Sequence, residues 1–132
     1  MVPDNIISLL ITAGRVIKDR LREANGVSPT QIWTLRFISE RGEPTMKDVA
    51  DYLSITPPSA TAVIENFVEQ NLIERILDKQ DRRIIRLRLT SKGKMFLDEV
   101  SKKASKKMKD LLSKLDKNEI NQLKIILEKI SR

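Results

Sequence analysis

The 132-residue chain is expected to be mainly α (α+β), with helices at both ends enclosing a core of short helices and one β-hairpin. Three observations predict this. Apolar residues recur at three- and four-residue spacing along most of the length, and Ser, Thr or Asp residues suited to helix capping precede several of these runs. One stretch breaks the rhythm: Ile85, Leu87 and Leu89 alternate with Arg86, Arg88 and Thr90, the period-two pattern of a half-buried strand, and Ile73, Arg75 and Leu77 can pair with it. Between these strands, Asp78 to Arg83 contains no core residue, so it reads as a loop that projects two guanidiniums.

Each element follows from its residues. Pro3-Asp4-Asn5 opens a first helix carrying Ile6, Leu9, Leu10, Ala13, Val16, Ile17 and Leu21, and Asn25-Gly26 ends it, because glycine accepts the left-handed cap conformation. The second helix has Ser28 as N-cap, Pro29 at its first position and Gln31 completing a capping box. Its apolar face is Ile32, Trp33 or Leu35, and Ile38, and Gly42 with Pro44 breaks it. Thr45, answered by Asp48, caps a short third helix from Met46 to about Leu53, with Val49, Ala50 and Leu53 facing inward. After a tight turn at Ser54-Ile55, Thr56 caps a fourth helix with Pro57 at its first position. Ala60, Val63, Ile64, Phe67 and Val68 are its buried stripe, and Asn71, which tolerates positive φ, closes it. Beyond the hairpin, Ser91 is expected to cap a long helix with Leu97, Val100, Ala104, Met108, Leu111 and Leu115 in a narrow seam. Asp116 and Glu119 form another capping-box pattern, so the chain kinks and a last helix carries Ile120, Leu123, Ile126 or Leu127, and Ile130.

Composition narrows the function. Lys and Arg number 25 against 18 Asp and Glu, a net charge of +7 that favours a polyanionic partner. The excess is local: residues 79 to 109 hold twelve Lys and Arg against Asp81, Asp98 and Glu99. With no cysteine and no histidine, disulfides, thiol redox sensing, Zn–Cys sites and His-based acid–base catalysis are excluded. No catalytic triad, metal site or phosphate-cradling glycine loop is recognisable, so the expectation is a non-enzyme without cofactor. The Ile6 to Ile11 run lacks the basic flank and cleavage site of a signal peptide, and Gly14, Arg15 and Lys18 interrupt it before it could span a bilayer. A cytoplasmic protein without membrane contact is expected. The apolar surface of the first and last helices exceeds what a core of about residues 28 to 90 can cover, which points to burial in a second subunit.

A capped helix followed at once by an arginine-tipped hairpin reads as a winged helix-turn-helix core. Met46-Lys47-Asp48-Val49-Ala50-Asp51-Tyr52-Leu53, Ile55-Thr56-Pro57-Pro58-Ser59-Ala60-Thr61, Leu72-Ile73-Glu74-Arg75, and Asp81-Arg82-Arg83 followed by Leu87-x-Leu89-Thr90-x-x-Gly93 together resemble the MarR family of dimeric transcription regulators. The resemblance runs through nearly the whole chain in order and spacing. It implies one domain over residues 1–132, with a DNA-binding core at 28–90 and dimerisation helices at 4–25 and 91–132. It also implies a homodimer, most simply a repressor, on double-stranded DNA, with a recognition helix in the major groove and a wing in the minor groove. Lys47, Thr56, Ser59, Thr61, Ala62, Asn66, Lys79, Arg82 and Arg83 become the candidate DNA contacts, with Glu65 also facing the groove. Arg83 matches the family's wing arginine, and Arg75 and Asp81 are expected to stabilise the wing by pairing across the hairpin. A pocket for a small aromatic or phenolic effector is expected near Ile11, Arg15, Trp33, Phe37 and Tyr52, where Arg15 could pair with a carboxylate.

The chain departs from the family's pattern at Ala62, where many relatives carry Arg or Lys, and at Asn71, where glycine is common. Ala62 can meet a thymine methyl and Asn66 can read adenine, but neither supplies a bidentate guanine contact. Greater dependence on wing and phosphate contacts follows, and a non-specific or architectural DNA binder is the alternative reading. Plainer assignments stand beside these: Lys102, Lys103, Lys106 and Lys107 as a solvated helix face, and Trp33, Phe37 and Met46 as core.

Overall fold

The computed structural model describes all 132 residues, the side chain of Asn25 excepted. Its elements are α1 (Asp4–Asn25), α2 (Pro29–Arg41), α3 (Met46–Leu53), α4 (Pro57–Glu69), β1 (Ile73–Leu77), β2 (Ile85–Leu89), α5 (Ser91–Leu112) and α6 (Lys117–Ile130).

Local chemistry sets most of the boundaries. Gly26 closes α1 at φ +68°, its N–H donating to the Arg22 carbonyl. Reciprocal capping boxes start α2 (Ser28 with Gln31), α3 (Thr45 with Asp48) and α6 (Asp116 with Glu119). Ser54 turns the chain between α3 and α4 in the left-handed region (φ 53°), and Asn71 does the same between α4 and β1 (φ 65°). On α2 the buried side chains are Ile32, Thr34, Leu35, Phe37 and Ile38, whereas Trp33 stays 54% exposed. Leu35, not Trp33, therefore belongs to the apolar face.

β1 and β2 pair antiparallel with Ile73 opposite Leu89, Arg75 opposite Leu87 and Leu77 opposite Ile85. The segment before α3 covers the outer edge of β2: Thr45 bridges to Arg86, and the Leu87 N–H donates to the Pro44 carbonyl at 2.8 Å. An edge that would otherwise offer unpaired backbone groups is thereby closed by the helix-turn-helix itself.

α5 is capped by Thr90 rather than Ser91. The Thr90 Oγ1 accepts the Gly93 N–H at 2.9 Å and donates to the Asn71 carbonyl at 2.6 Å, while the Thr90 N–H donates to the Leu72 carbonyl at 3.0 Å. Gly93 is buried against that same carbonyl, and a Cβ built on it would lie 2.0 Å from the Leu72 oxygen. The Leu-Thr-x-x-Gly run is thus a splice in which one threonine joins the end of α4, the hairpin and α5.

Leu35, Phe37, Ile38, Val49, Ile64, Phe67, Leu72, Ile73, Leu87 and Leu89 form one buried core drawn from α2, α3, α4 and the hairpin. Phe96 and Leu97 of α5 pack both on this core and on a smaller cluster of Val27, Ile32 and Val100. On α1, Leu9, Leu10 and Ile11 are exposed, as are Ile125, Ile126, Leu127 and Ile130 on α6. No helix among the described residues is long and apolar enough to cross a membrane.

Candidate nucleic-acid interface

The site grows from the α3–turn–α4 unit. Ala60, Ile64 and Phe67 anchor α4 in the core, and helical periodicity then turns Ser59, Thr61, Ala62 and Asn66 outward. The exposed face carries no cation, since no lysine or arginine lies anywhere in α4, and its half-exposed Glu65 is paired with Arg75 of β1. Some of its hydrogen-bonding capacity is already engaged. Thr56 Oγ1 accepts the Ser59 N–H and donates to the Ser59 hydroxyl; Thr61 donates to the Pro57 carbonyl; Asn66 Oδ1 accepts from Gln70. The Asn66 amide group remains a donor toward solvent.

Positive charge enters from the flanks. In the hairpin loop, Asp78 Oδ2 accepts the N–H groups of Gln80 and Asp81 and holds the turn, while its other oxygen takes the Arg86 guanidinium at 2.6 Å. Arg86 also donates to the Glu43 carbonyl at 2.9 Å, so it ties the wing to the loop before α3. The Arg86 hydrogen bond, with those two backbone donors, holds the Asp78 carboxyl below its ordinary range, and the Arg86 guanidinium is correspondingly raised. Asp81 is likewise lowered, first by the side chain of Arg83 and then by its backbone N–H.

Arg83 stands at the loop with its side chain 91% exposed, gripped on one edge by both oxygens of Asp81 at 3.1 and 3.2 Å. This grip pre-orients the guanidinium and leaves its other donors facing outward. Arg82 and Lys79 are exposed on the same loop. Lys47, on the first turn of α3, shares a groove with Arg83, lined also by Thr45, Met46, Ile84 and Ile85. Lys47 and the wing arginine, far apart in sequence, are therefore brought together.

The expected pairing of Arg75 with Asp81 is not what the structure shows. Arg75 lies in mid-strand opposite Leu87 and forms an ion pair with Glu65 of α4, while Asp81 turns back onto Arg83. Arg75 thus ties the hairpin to the outward helix, and Asp78 with Arg86 holds the loop. Sequence reading missed Asp78, Arg86 and Glu43. The alternation of Arg86 with buried Leu87 marked it as strand, but nothing local named its partners. Arg88 is similarly occupied, by Glu74 and Glu43.

The residues expected to line an effector pocket do not converge. A cavity of about 530 Å³ lies between α1, α2 and α5, lined by Gly14, Ile17, Lys18, Leu21, Pro29, Thr30, Ile32, Trp33, Arg36, Ser101, Ala104, Ser105 and Met108. Of the expected set only Trp33 borders it, and Trp33 is not core. Phe37 and Tyr52 stack on each other instead, with centroids 4.2 Å apart and Arg41 over the Phe37 ring, beside a separate polar cleft. Ile11 and Arg15 are exposed on α1 and line neither. Gly14 and Lys18, one and two turns beyond Ile11, line the cavity in its place.

A helix pair with a tight turn, an outward second helix and a hairpin with an arginine at its loop define a winged helix-turn-helix protein. The chain belongs to the MarR family, whose sequence profile matches residues 25–84. It is 33% identical over 94 residues to YpoP of Bacillus subtilis, named as an uncharacterized HTH-type transcriptional regulator, covering 67% of each chain. It is 29% identical over 110 residues to the transcriptional repressor MdtR of the same species, covering 83% of this chain and 71% of that one. Among solved structures, a mutant of MarR from E. coli complexed with operator DNA superposes with a TM-score of 0.81 at 18% identity, covering 96% of this chain and 93% of the other, a likeness of fold. The relatives are named as transcriptional regulators, a non-enzymatic function.

Proposed function

We propose that the chain acts as a homodimeric repressor that binds a pseudo-palindromic operator. α4 would lie in the major groove of each half-site and the Arg83 wing in the adjacent minor groove. The observation that carries this reading is the wing: a guanidinium gripped by Asp81, almost fully exposed, on a hairpin joined to α4 through Arg75 and Glu65. A narrow minor groove concentrates negative potential, and a planar guanidinium held in place meets it with little further entropy loss. Ser59, Thr61, Ala62 and Asn66 would face base edges, Thr56 a phosphate at the α4 N-terminus, and Lys47, Lys79 and Arg82 the backbone. The exposed apolar faces of α1 and α6 supply the surface for a second protomer, and two-fold symmetry then sets half-sites about 10 base pairs apart. The Arg36-bordered cavity beside Trp33 suits a small aromatic or phenolic anion, whose binding would change the spacing of the two α4 helices.

The absence of a cation on α4 favours a second reading, a DNA binder of low sequence preference. Fluorescence anisotropy separates the two. The DNA upstream of this protein's own coding region is compared with a scrambled duplex across a salt series. Saturable binding at two protomers per site, retained over the scramble, supports the repressor. Equal and steeply salt-dependent binding to both duplexes supports the second reading.

A further inference from the structure

α4 carries no lysine or arginine, and its acidic residues are Glu65 and Glu69. Glu65 follows Thr61 and Ala62 by one turn, so it flanks the outward face rather than the core, and its side chain is 45% exposed. An unneutralised carboxylate there would be repelled by phosphates on both sides of a groove. The structure pairs it with Arg75 of β1, whose side chain is 36% exposed. As a surface tether such a pair contributes little to stability. A tether of that size could be made by any ion pair away from the DNA-facing side. Its position is what asks for another role.

We infer that Glu65 is a specificity-determining residue that accepts a hydrogen bond from the exocyclic amino group of a cytosine, and that Arg75 is the residue that positions and neutralises it. The chemistry is that of an acceptor-only group: an ionised carboxylate offers about four lone-pair sites, and the contact of Arg75 with one oxygen leaves others free. The cytosine N4 amino group is the donor that glutamate accepts from in the major groove. Arg75 cancels the charge that would oppose entry and holds the carboxylate in one orientation, and it does so from β1, outside the helix that enters the groove. The specificity that α4 loses by having alanine at position 62 is thereby supplied by an acceptor instead of a guanidinium. This inference rests on the proposed placement of α4 in the major groove.

The test is selection from a duplex library with a randomised core, using the wild-type dimer, Glu65→Gln, Glu65→Ala, Arg75→Ala and Arg75→Lys. Thermal melting of each variant is measured alongside. The wild type should enrich a symmetric motif with one cytosine per half-site that both Glu65 variants no longer prefer, with discrimination at that position falling about tenfold. Arg75→Ala should weaken the same preference and leave the others in place. Arg75→Lys, which keeps the charge but not the planar fork, should restore part of it, and the change in preference should not follow the change in melting temperature, as it would for a purely structural tether. A motif identical for wild type and the Glu65 variants, or a loss spread evenly over all positions, overturns the inference while leaving DNA binding intact. Failure of the wild type to enrich any sequence overturns the sequence-specific reading, and the inference with it.

Discussion

Replacing Gly93 with alanine tests the splice that joins the hairpin to α5. Helix propensity alone predicts a gain, since alanine is favoured over glycine by about 1 kcal/mol in a helix interior. The structure predicts the opposite sign. The added Cβ would lie 2.0 Å from the Leu72 carbonyl oxygen and 2.9 Å from its carbon, more than 1 Å inside ordinary van der Waals contact, and the obstacle is backbone. That carbonyl also accepts the Thr90 N–H at 3.0 Å, so moving it strains the bond that holds the α5 cap to the hairpin. Overpacking costs typically about 1–3 kcal/mol. Weakening one backbone hydrogen bond adds roughly 1 kcal/mol. Set against the propensity gain, the net loss is about 1–3 kcal/mol. For a domain of this size that is a fall in Tm on the order of 10 °C. Urea unfolding and thermal melting at fixed protein concentration measure it. A variant as stable as wild type, or more so, would show that α5 does not pack on Leu72 as described.

Other outcomes follow from the same geometry. Thr45→Ala removes a capping hydroxyl that accepts the Asp48 N–H and should cost about 1 kcal/mol in urea unfolding. Because the carboxyls of Asp78 and Asp81 are held below their ordinary range, wing order is complete at neutral pH and is given up only as pH falls through those lowered values. NMR titration of the two carboxyl carbons should place both midpoints under those of an unstructured aspartate, and an ordinary midpoint would contradict the ion pairs. Glutamate at Leu10 and Ile126, exposed on α1 and α6, should convert a dimer to a monomer in sedimentation velocity. A wild-type chain that sediments as a monomer would remove the proposed second subunit.

What the sequence revealed was what neighbouring residues decide. The capping boxes at Ser28, Thr45 and Asp116 each span only four residues, and the structure forms all of them. The phase of the second strand was legible because Leu87 and Leu89 alternate with Arg86 and Arg88, and the structure buries both leucines. The α5 cap was misplaced by one residue. Thr90 and Ser91 can both cap, and the deciding partners, Asn71 and Leu72, lie at the far end of the hairpin. Arg75 was assigned to Asp81 because both belong to the hairpin; its partner Glu65 comes from α4, and no spacing encodes that choice. The cavity was misassigned for the same reason. Aromatic residues suggested a lining, but only the packing of α1 on α5 decides which side chains meet there, and Phe37 and Tyr52 found each other.

The most direct test of the central claim is DNA binding by Arg83→Ala, measured by fluorescence anisotropy on the best available duplex beside wild type and Lys106→Ala. Lys106→Ala removes an equal charge from the exposed face of α5. If the wing guanidinium enters the minor groove, Arg83→Ala loses about 1–3 kcal/mol of affinity, and Lys106→Ala stays close to wild type. Equal, small losses for the two variants would mean that Arg83 contributes only general charge, and the wing would have no role in recognition.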